Sequence, residues 1–247
     1  MAFSSLFDIT GRVAMVTGGS TGLGLQVVQA LIRAGARVTS VARSHDADVC
    51  KSLVDMAEDF EQPVFVAADV TKQAAVELMF DRAEESFGTV SVLFNNAGVS
   101  EKKRASEIDR EGWREIMSVN VDGQFFVAQE AARRMIAAKT GGSIINTTSI
   151  LAESLLRGTA AYATSKAAVA HLTQLLAAEL GPTGIRVNAV FPGPIWGAAL
   201  QGYLDQDAAA RGVDPQVVYD EFSSKSALKT RNMPDDIAGS VVFLASD

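Results

Sequence analysis

The chain has little of what several protein classes require. One cysteine, Cys50, in 247 residues permits no internal disulfide, which suits a reducing compartment and a cytoplasmic protein. Two histidines, His45 and His171, stand far apart on segments read as helical, so neither a metal site nor a histidine-based triad is expected. No stretch reaches about 18 uninterrupted apolar residues, and Met1 to Thr10 lacks a basic segment followed by an apolar run. A membrane span and an export signal are both unsupported. Basic residues are also short, 22 against 29 acidic ones for a net charge of -7, which argues against a nucleic-acid partner.

What is present is apolar material, 48% of the chain, enough for one large core. It is arranged as short apolar runs alternating with helix-period segments. Strands are expected at Val13 to Val16, Val38 to Val41, Val64 to Ala67, Val92 to Phe94, Ser143 to Thr148 and Ile185 to Phe191. Between them fall helices at Leu23 to Ile32, Asp46 to Phe60, from an N-cap at Thr71 to Phe87, Asp109 to Ala138 and Ala160 to Leu180, with a last one opened by Pro234. Six strands with helical crossovers predict an α/β fold, a single-domain doubly wound parallel sheet of the Rossmann type with helices on both faces. No repeat or linker divides residues 1–247. Segment 194–230 departs from the alternation and carries Trp196, Tyr203 and Phe222, as a mobile substrate-binding flap would.

Such sheets bind ligands beyond the carboxyl ends of their strands, so Gly18, Arg43, Asp69, Asn95 and Ser149 should converge. The loop Thr17-Gly18-Gly19-Ser20-Thr21-Gly22-Leu23-Gly24 joins the first strand to the first helix. Glycines there permit a tight turn and let a diphosphate approach the backbone at a helix N-terminus. After the second strand come Ala42 and Arg43, with no carboxylate to take ribose hydroxyls. Arg43, supported by Ser44, suits a 2'-phosphate and favours NADP over NAD; Thr21 is uncharged and adds nothing to that preference. Tyr162 and Lys166 lie four apart on one helix face, and Ser149 precedes Tyr162 by thirteen positions. The cation should favour the tyrosinate and bring the phenol below its ordinary pKa of about 10.

These motifs resemble the short-chain dehydrogenase/reductase family over nearly the whole chain. The resemblance rests on Thr17 to Gly24, on Asn95-Asn96-Ala97-Gly98, and on Ser149 with Tyr162-Ala163-Thr164-Ser165-Lys166. It implies interconversion of a ketone and a secondary alcohol, with Tyr162 as general acid or base, Ser149 polarising the carbonyl, and Lys166 holding the nicotinamide ribose. Asn120 would anchor a water linking Lys166 to solvent. Asp69 and Val70 would contact the adenine, while Asn96, Pro192, Gly193 and Ile195 would flank the cofactor. The family threonine after Pro194-Ile195 is replaced by Trp196-Gly197, and Trp196 is expected to line an apolar substrate pocket.

The opening Leu6 to Arg12 is similar to gluconate 5-dehydrogenase-like members, and the overall pattern to 3-oxoacyl carrier-protein reductases. Sugar acids, 3-oxoacyl thioesters and bulky apolar ketones are therefore the candidate substrates. The resemblance also implies a homotetramer or homodimer packed through helices near Asp109 and Tyr162; the family continues past Phe243 to Asp247 into a seventh strand and glycine-rich tail, a strand expected to be missing here. Two other functions remain open on this fold. A non-catalytic dinucleotide sensor is opposed by the intact Ser149, Tyr162 and Lys166; an epimerase or dehydratase would need a longer substrate domain.

Overall fold

A computed structural model describes residues 7–247. The part of the opening segment before Phe7, on which the leader and gluconate-dehydrogenase readings partly rest, lies outside the described residues. The strands are β1 (Val13–Thr17), β2 (Arg37–Ala42), β3 (Val64–Ala67), β4 (Val92–Asn95), β5 (Gly142–Thr147) and β6 (Ile185–Val190). They form one parallel sheet in the order β3-β2-β1-β4-β5-β6. The chain turns back across the sheet between β3 and β4, so a crevice opens above β1 and β4, where doubly wound sheets hold ligands.

Alternation along β1 shows why its run is continuously apolar. Val13 and Met15 enter a core with Phe80, Leu93, Met135 and Ile144 on one face. Ala14 and Val16 enter a second core with Val28, Leu31, Phe94, Ile145 and Val241 on the other. Both faces of the strand are covered, so polar residues enter only where a partner meets them, as Thr17 does at its end. Helices α1 (Gly22–Arg33), α2 (Ala47–Met56) and α9 (Pro234–Ala245) supply the second face; α3 (Gln73–Phe87), α5 (Gln124–Ala138) and α6 (Ala160–Leu180) supply the first.

Four local expectations are corrected. Thr71 does not cap α3: its N–H and hydroxyl both donate to Asp69 Oδ1, at 2.9 and 2.8 Å, and Lys72 precedes the helix instead. The second helix stops at Met56, short of Phe60. The long helix from Asp109 is α4 (Arg110–Met117) and α5 separated by a π turn over Ser118–Gly123, where buried Asn120 turns to partners outside its own helix. His45 sits in the loop between β2 and α2 rather than on a helix, its ring against Phe65 and its Nε2 3.3 Å from Ser40 Oγ.

The flap segment is not an open loop. It folds as α7 (Ala198–Arg211) and α8 (Pro215–Ser223), which pack on each other through Leu204, Ala208 and Val218. Among the described residues the sheet has six strands, and no helix is long and apolar enough to cross a membrane.

Candidate active site

The loop that leaves β1 is built around missing side chains. A Cβ on Gly24 would stand 2.1 Å from the Gly18 carbonyl oxygen, and one on Gly19 would stand 2.5 Å from Ser40 Oγ. Gly18 itself adopts φ +68°, which only glycine takes without strain. Thr17 ties this loop to the neighbouring one, its Oγ1 accepting from Asn96 N–H at 2.9 Å and Ala97 N–H at 3.0 Å. Thr21 precedes α1 without a side-chain cap, so the first N–H groups of the helix are free to meet an anion. Gly24→Ala is accordingly expected to weaken dinucleotide binding by at least about tenfold and to lower the melting temperature. Fluorescence titration and a thermal melt check this.

Beside the loop lies a hollow of about 510 Å³ bordered by Gly18, Ser20 and Thr21, by Arg43 and Ser44 after β2, and by Asp69 and Val70 after β3. The Asp69 carboxyl is held below its ordinary range, first by the Thr71 N–H, and Arg43 and Lys72 add to the effect. Arg43 therefore faces the same space as Asp69. Ala97 and Gly98 close the inner end of this hollow.

Gly98 also borders a second hollow of about 250 Å³, lined by Leu23, Asn96, Ser149, Tyr162, Lys166, Pro192, Gly193 and Ile195. Ser149, Tyr162 and Gly193 in turn border a third, of about 590 Å³, walled by α7 and α8. The three hollows adjoin along these shared walls and are taken together as the cleft. A glycine cradle, an uncapped helix end and the Arg43 guanidinium at its outer end are donors that suit the phosphates of a dinucleotide.

Ser149 follows β5 and is 7% exposed; its Oγ accepts from Leu151 N–H at 3.2 Å, which leaves the hydroxyl proton available. Lys166, 3% exposed, donates from Nζ to the Thr147 carbonyl at 2.7 Å. Its Nζ is 5.8 Å from the Tyr162 ring centroid. Burial pushes Lys166 down to about 8. Tyr162 moves opposite to expectation: burial raises its phenol above the ordinary value, and the Ser149 hydroxyl only partly offsets this. The lysine charge points at a carbonyl, so desolvation of the ring decides.

Asn120 is fully buried but lines no hollow. Its Oδ1 accepts from Val99 N–H at 2.8 Å, and its Nδ2 donates to Val99 O and Ser165 Oγ, both at 2.9 Å. The side chain thus fixes the loop after β4 to α6. Ser165 and Thr147, which hold Asn120 and Lys166, carried no recognisable signal in the sequence. Asn95 is 1% exposed and turns away from the cleft, donating to Gln124 O at 2.7 Å and Asn146 Oδ1 at 3.2 Å. Strand alternation explains this, since Asn96 is the one of the pair facing the loop. Trp196 does not line the large cavity; its ring meets Tyr219 edge-on at 5.0 Å, with the Arg231 guanidinium 4.0 Å over it.

Residues 18–247 match the family model described as enoyl-(acyl carrier protein) reductase. L-2,3-butanediol dehydrogenase of Corynebacterium glutamicum is 37% identical over 96% of this chain and 92% of its own. Gluconate 5-dehydrogenase of Gluconobacter oxydans is 32% identical over 100% and 92%. The chain belongs to the short-chain dehydrogenase/reductase family. A solved member, L-sorbose reductase from Gluconobacter frateurii complexed with NADPH and L-sorbose, superposes with a TM-score of 0.90 at 28% identity, over 98% of this chain and 92% of its own. As a short-chain dehydrogenase/reductase the protein is an oxidoreductase of the alcohol and ketone type, on a single parallel Rossmann sheet.

Proposed function

We propose that the protein interconverts a ketone and a secondary alcohol with NADP(H), using Tyr162 as general acid in reduction and general base in oxidation. The observation that carries this is the sharing of Ser149 and Tyr162 between the inner hollow, continuous with the glycine cradle, and the large outer cavity. A carbonyl entering from the outer side meets two hydroxyls where the two spaces join. Asn96, Lys166 and Ile195 line the inner hollow and would hold a nicotinamide there, which would supply or accept the hydride.

The chain's own residues then hold and move the proton. Ser149, whose hydroxyl accepts from Leu151 N–H and lies against the Tyr162 phenol, turns its proton to the carbonyl oxygen when substrate enters. Tyr162, its phenol raised by burial, is protonated at neutral pH and donates to the same oxygen. Lys166, fixed by Thr147, presents an ammonium at the inner wall, where a ribose hydroxyl can accept from it. Gly18 and the first turn of α1 would take the diphosphate, Asp69 and Val70 the adenine, and Arg43 with Ser44 the 2'-phosphate of a bound dinucleotide.

Initial rates with NADPH and NADH over a ketone panel test the reading; absence of turnover with either cofactor would remove it. Arg43→Ala is expected to raise KM for NADPH by about ten- to a hundredfold, the loss of a charge-assisted contact, and to leave KM for NADH nearly unchanged. Equal effects on both cofactors would show that Arg43 does not read the phosphate. The same reading has the subunits assemble as a homotetramer or homodimer. Trp113 on α4 and Phe126 on α5, both about 40% exposed, support a contact through those helices.

A further inference from the structure

The large outer cavity has a lopsided chemistry. Ile150 and Leu151 form its wall on the β5 side, Leu200 and Leu204 on α7, and Val218 and Phe222 on α8. Leu156 extends the apolar surface to the mouth, where it is 54% exposed, and Ile150 is 42% exposed.

The charged groups on the α7 and α8 walls pair with one another: Arg211 donates to both oxygens of Glu221, each at 2.8 Å, and to Asp207 at 3.3 Å. Thr159 donates its hydroxyl to Leu156 O at 2.7 Å. Tyr203 OH accepts from Lys102 Nζ at 2.8 Å, a bond that ties α7 to the loop after β4. Ser100 is the one further hydroxyl on the wall; Glu101 and Lys225 stand exposed at the rim. Ser149 and Tyr162 are needed by the carbonyl itself.

Resting on the oxidoreductase reading, we propose that the substrate is a ketone, or the matching alcohol, whose substituents are predominantly apolar and of drug-like bulk, and that hydroxylated ketoses and sugar acids are excluded. A volume of about 590 Å³ lies within the roughly 300–1,000 Å³ of cavities that enclose such molecules. A polyol would set most of its hydroxyls against the aliphatic and aromatic walls, away from the polar groups at the rim, at about tenfold in affinity for each hydroxyl left unpaired. An apolar chain gains from the same walls. The inference sets this chain apart from those relatives whose names specify sugars or sugar acids.

The test uses the full-length protein with NADPH and two substrate series. In the first, 2-butanone to 2-decanone and a bicyclic aryl ketone, kcat/KM is expected to rise about fourfold per added methylene until the walls are filled. In the second, L-sorbose, fructose and 5-ketogluconate, turnover is expected to be at least about a hundredfold below that of 2-octanone. Phe222→Ser is expected to flatten the chain-length dependence, with its fold checked by thermal melting. A flat dependence in the parent protein, or faster turnover of the hydroxylated series, overturns the substrate assignment while the oxidoreductase reading stands. Calorimetric titration of both series onto the NADPH-saturated protein separates the two claims. Preferential binding of the apolar series without turnover removes the redox chemistry and keeps the substrate class; preferential binding of the hydroxylated series removes the substrate class.

Discussion

Replacing Tyr162 by Phe is expected to lower kcat/KM for ketone reduction by between about a hundredfold and ten-thousandfold, the usual worth of a positioned proton donor. The phenol borders both the inner hollow and the outer cavity and can give up a proton at the carbonyl between them. Ser149 can polarise the oxygen but cannot replace the proton transfer. Phenylalanine keeps the buried ring on α6, so the fold and NADPH affinity should hardly change. Stopped assays in parallel with NADPH titration check this, and residual activity above about a tenth of the parent would show that Tyr162 is not the acid. Because burial holds the phenol protonated, the parent should reduce ketones well at neutral pH and oxidise alcohols faster as the pH is raised.

Lys166→Met is expected to make the protein more stable at pH 7 while removing most of its activity. Lys166 titrates near 8 in the folded chain because burial disfavours its charge, against an ordinary 10.5 when exposed. A folded value below the unfolded one means that the folded chain binds fewer protons between these pH values. The charge therefore costs stability in full below pH 8, progressively less between 8 and 10.5, and nothing above. At about 1.4 kcal/mol for each pH unit, the cost at neutral pH is on the order of 3 kcal/mol. Methionine removes it and forfeits the bond to Thr147 O, worth about 1 kcal/mol. That carbonyl keeps Gln124 Nε2 as a donor at 3.3 Å, so it is not left unsatisfied. A net gain of about 1–2 kcal/mol at pH 7 should remain and vanish by about pH 10.5. Urea unfolding at the two pH values decides; a variant less stable than the parent at pH 7 would show that the ammonium stabilises the fold. Such a gain would mark the lysine as kept for function at the expense of stability.

Much of this was readable from the sequence because the strands of a parallel sheet covered on both faces are forced to be apolar runs, and the ligand-facing residues follow directly at their ends. Gly18, Arg43, Asp69 and Ser149 follow from their places after strands and border the cleft, whereas Asn95, named by the same rule, turns away and Asn96 entered only through the family resemblance. What failed to show depends on contacts made across the fold. Asn95 and Asn96 are neighbours of one type, and only the pleat decides which of them faces the loop. The π turn at Asn120 follows from partners on Val99 and Ser165, not from any local propensity. Trp196 looked like a pocket wall because it follows the Pro-Gly turn, yet Tyr219 and Arg231 draw it into the packing of α8. The relation between Tyr162 and Lys166 was right in spacing and wrong in electrostatics, since helical register says nothing about burial.

The α7–α8 pair is held by a core of Leu204, Ala208 and Val218, separate from the two cores that sandwich the sheet. A unit with so small a core can open without disturbing β1 to β6, so its amide hydrogens should exchange well ahead of those in the strands. Substitutions there also draw on little of the stability of the whole chain. One side of the substrate cavity can thus change its preference over evolutionary time while the cradle and the proton donor stay as they are.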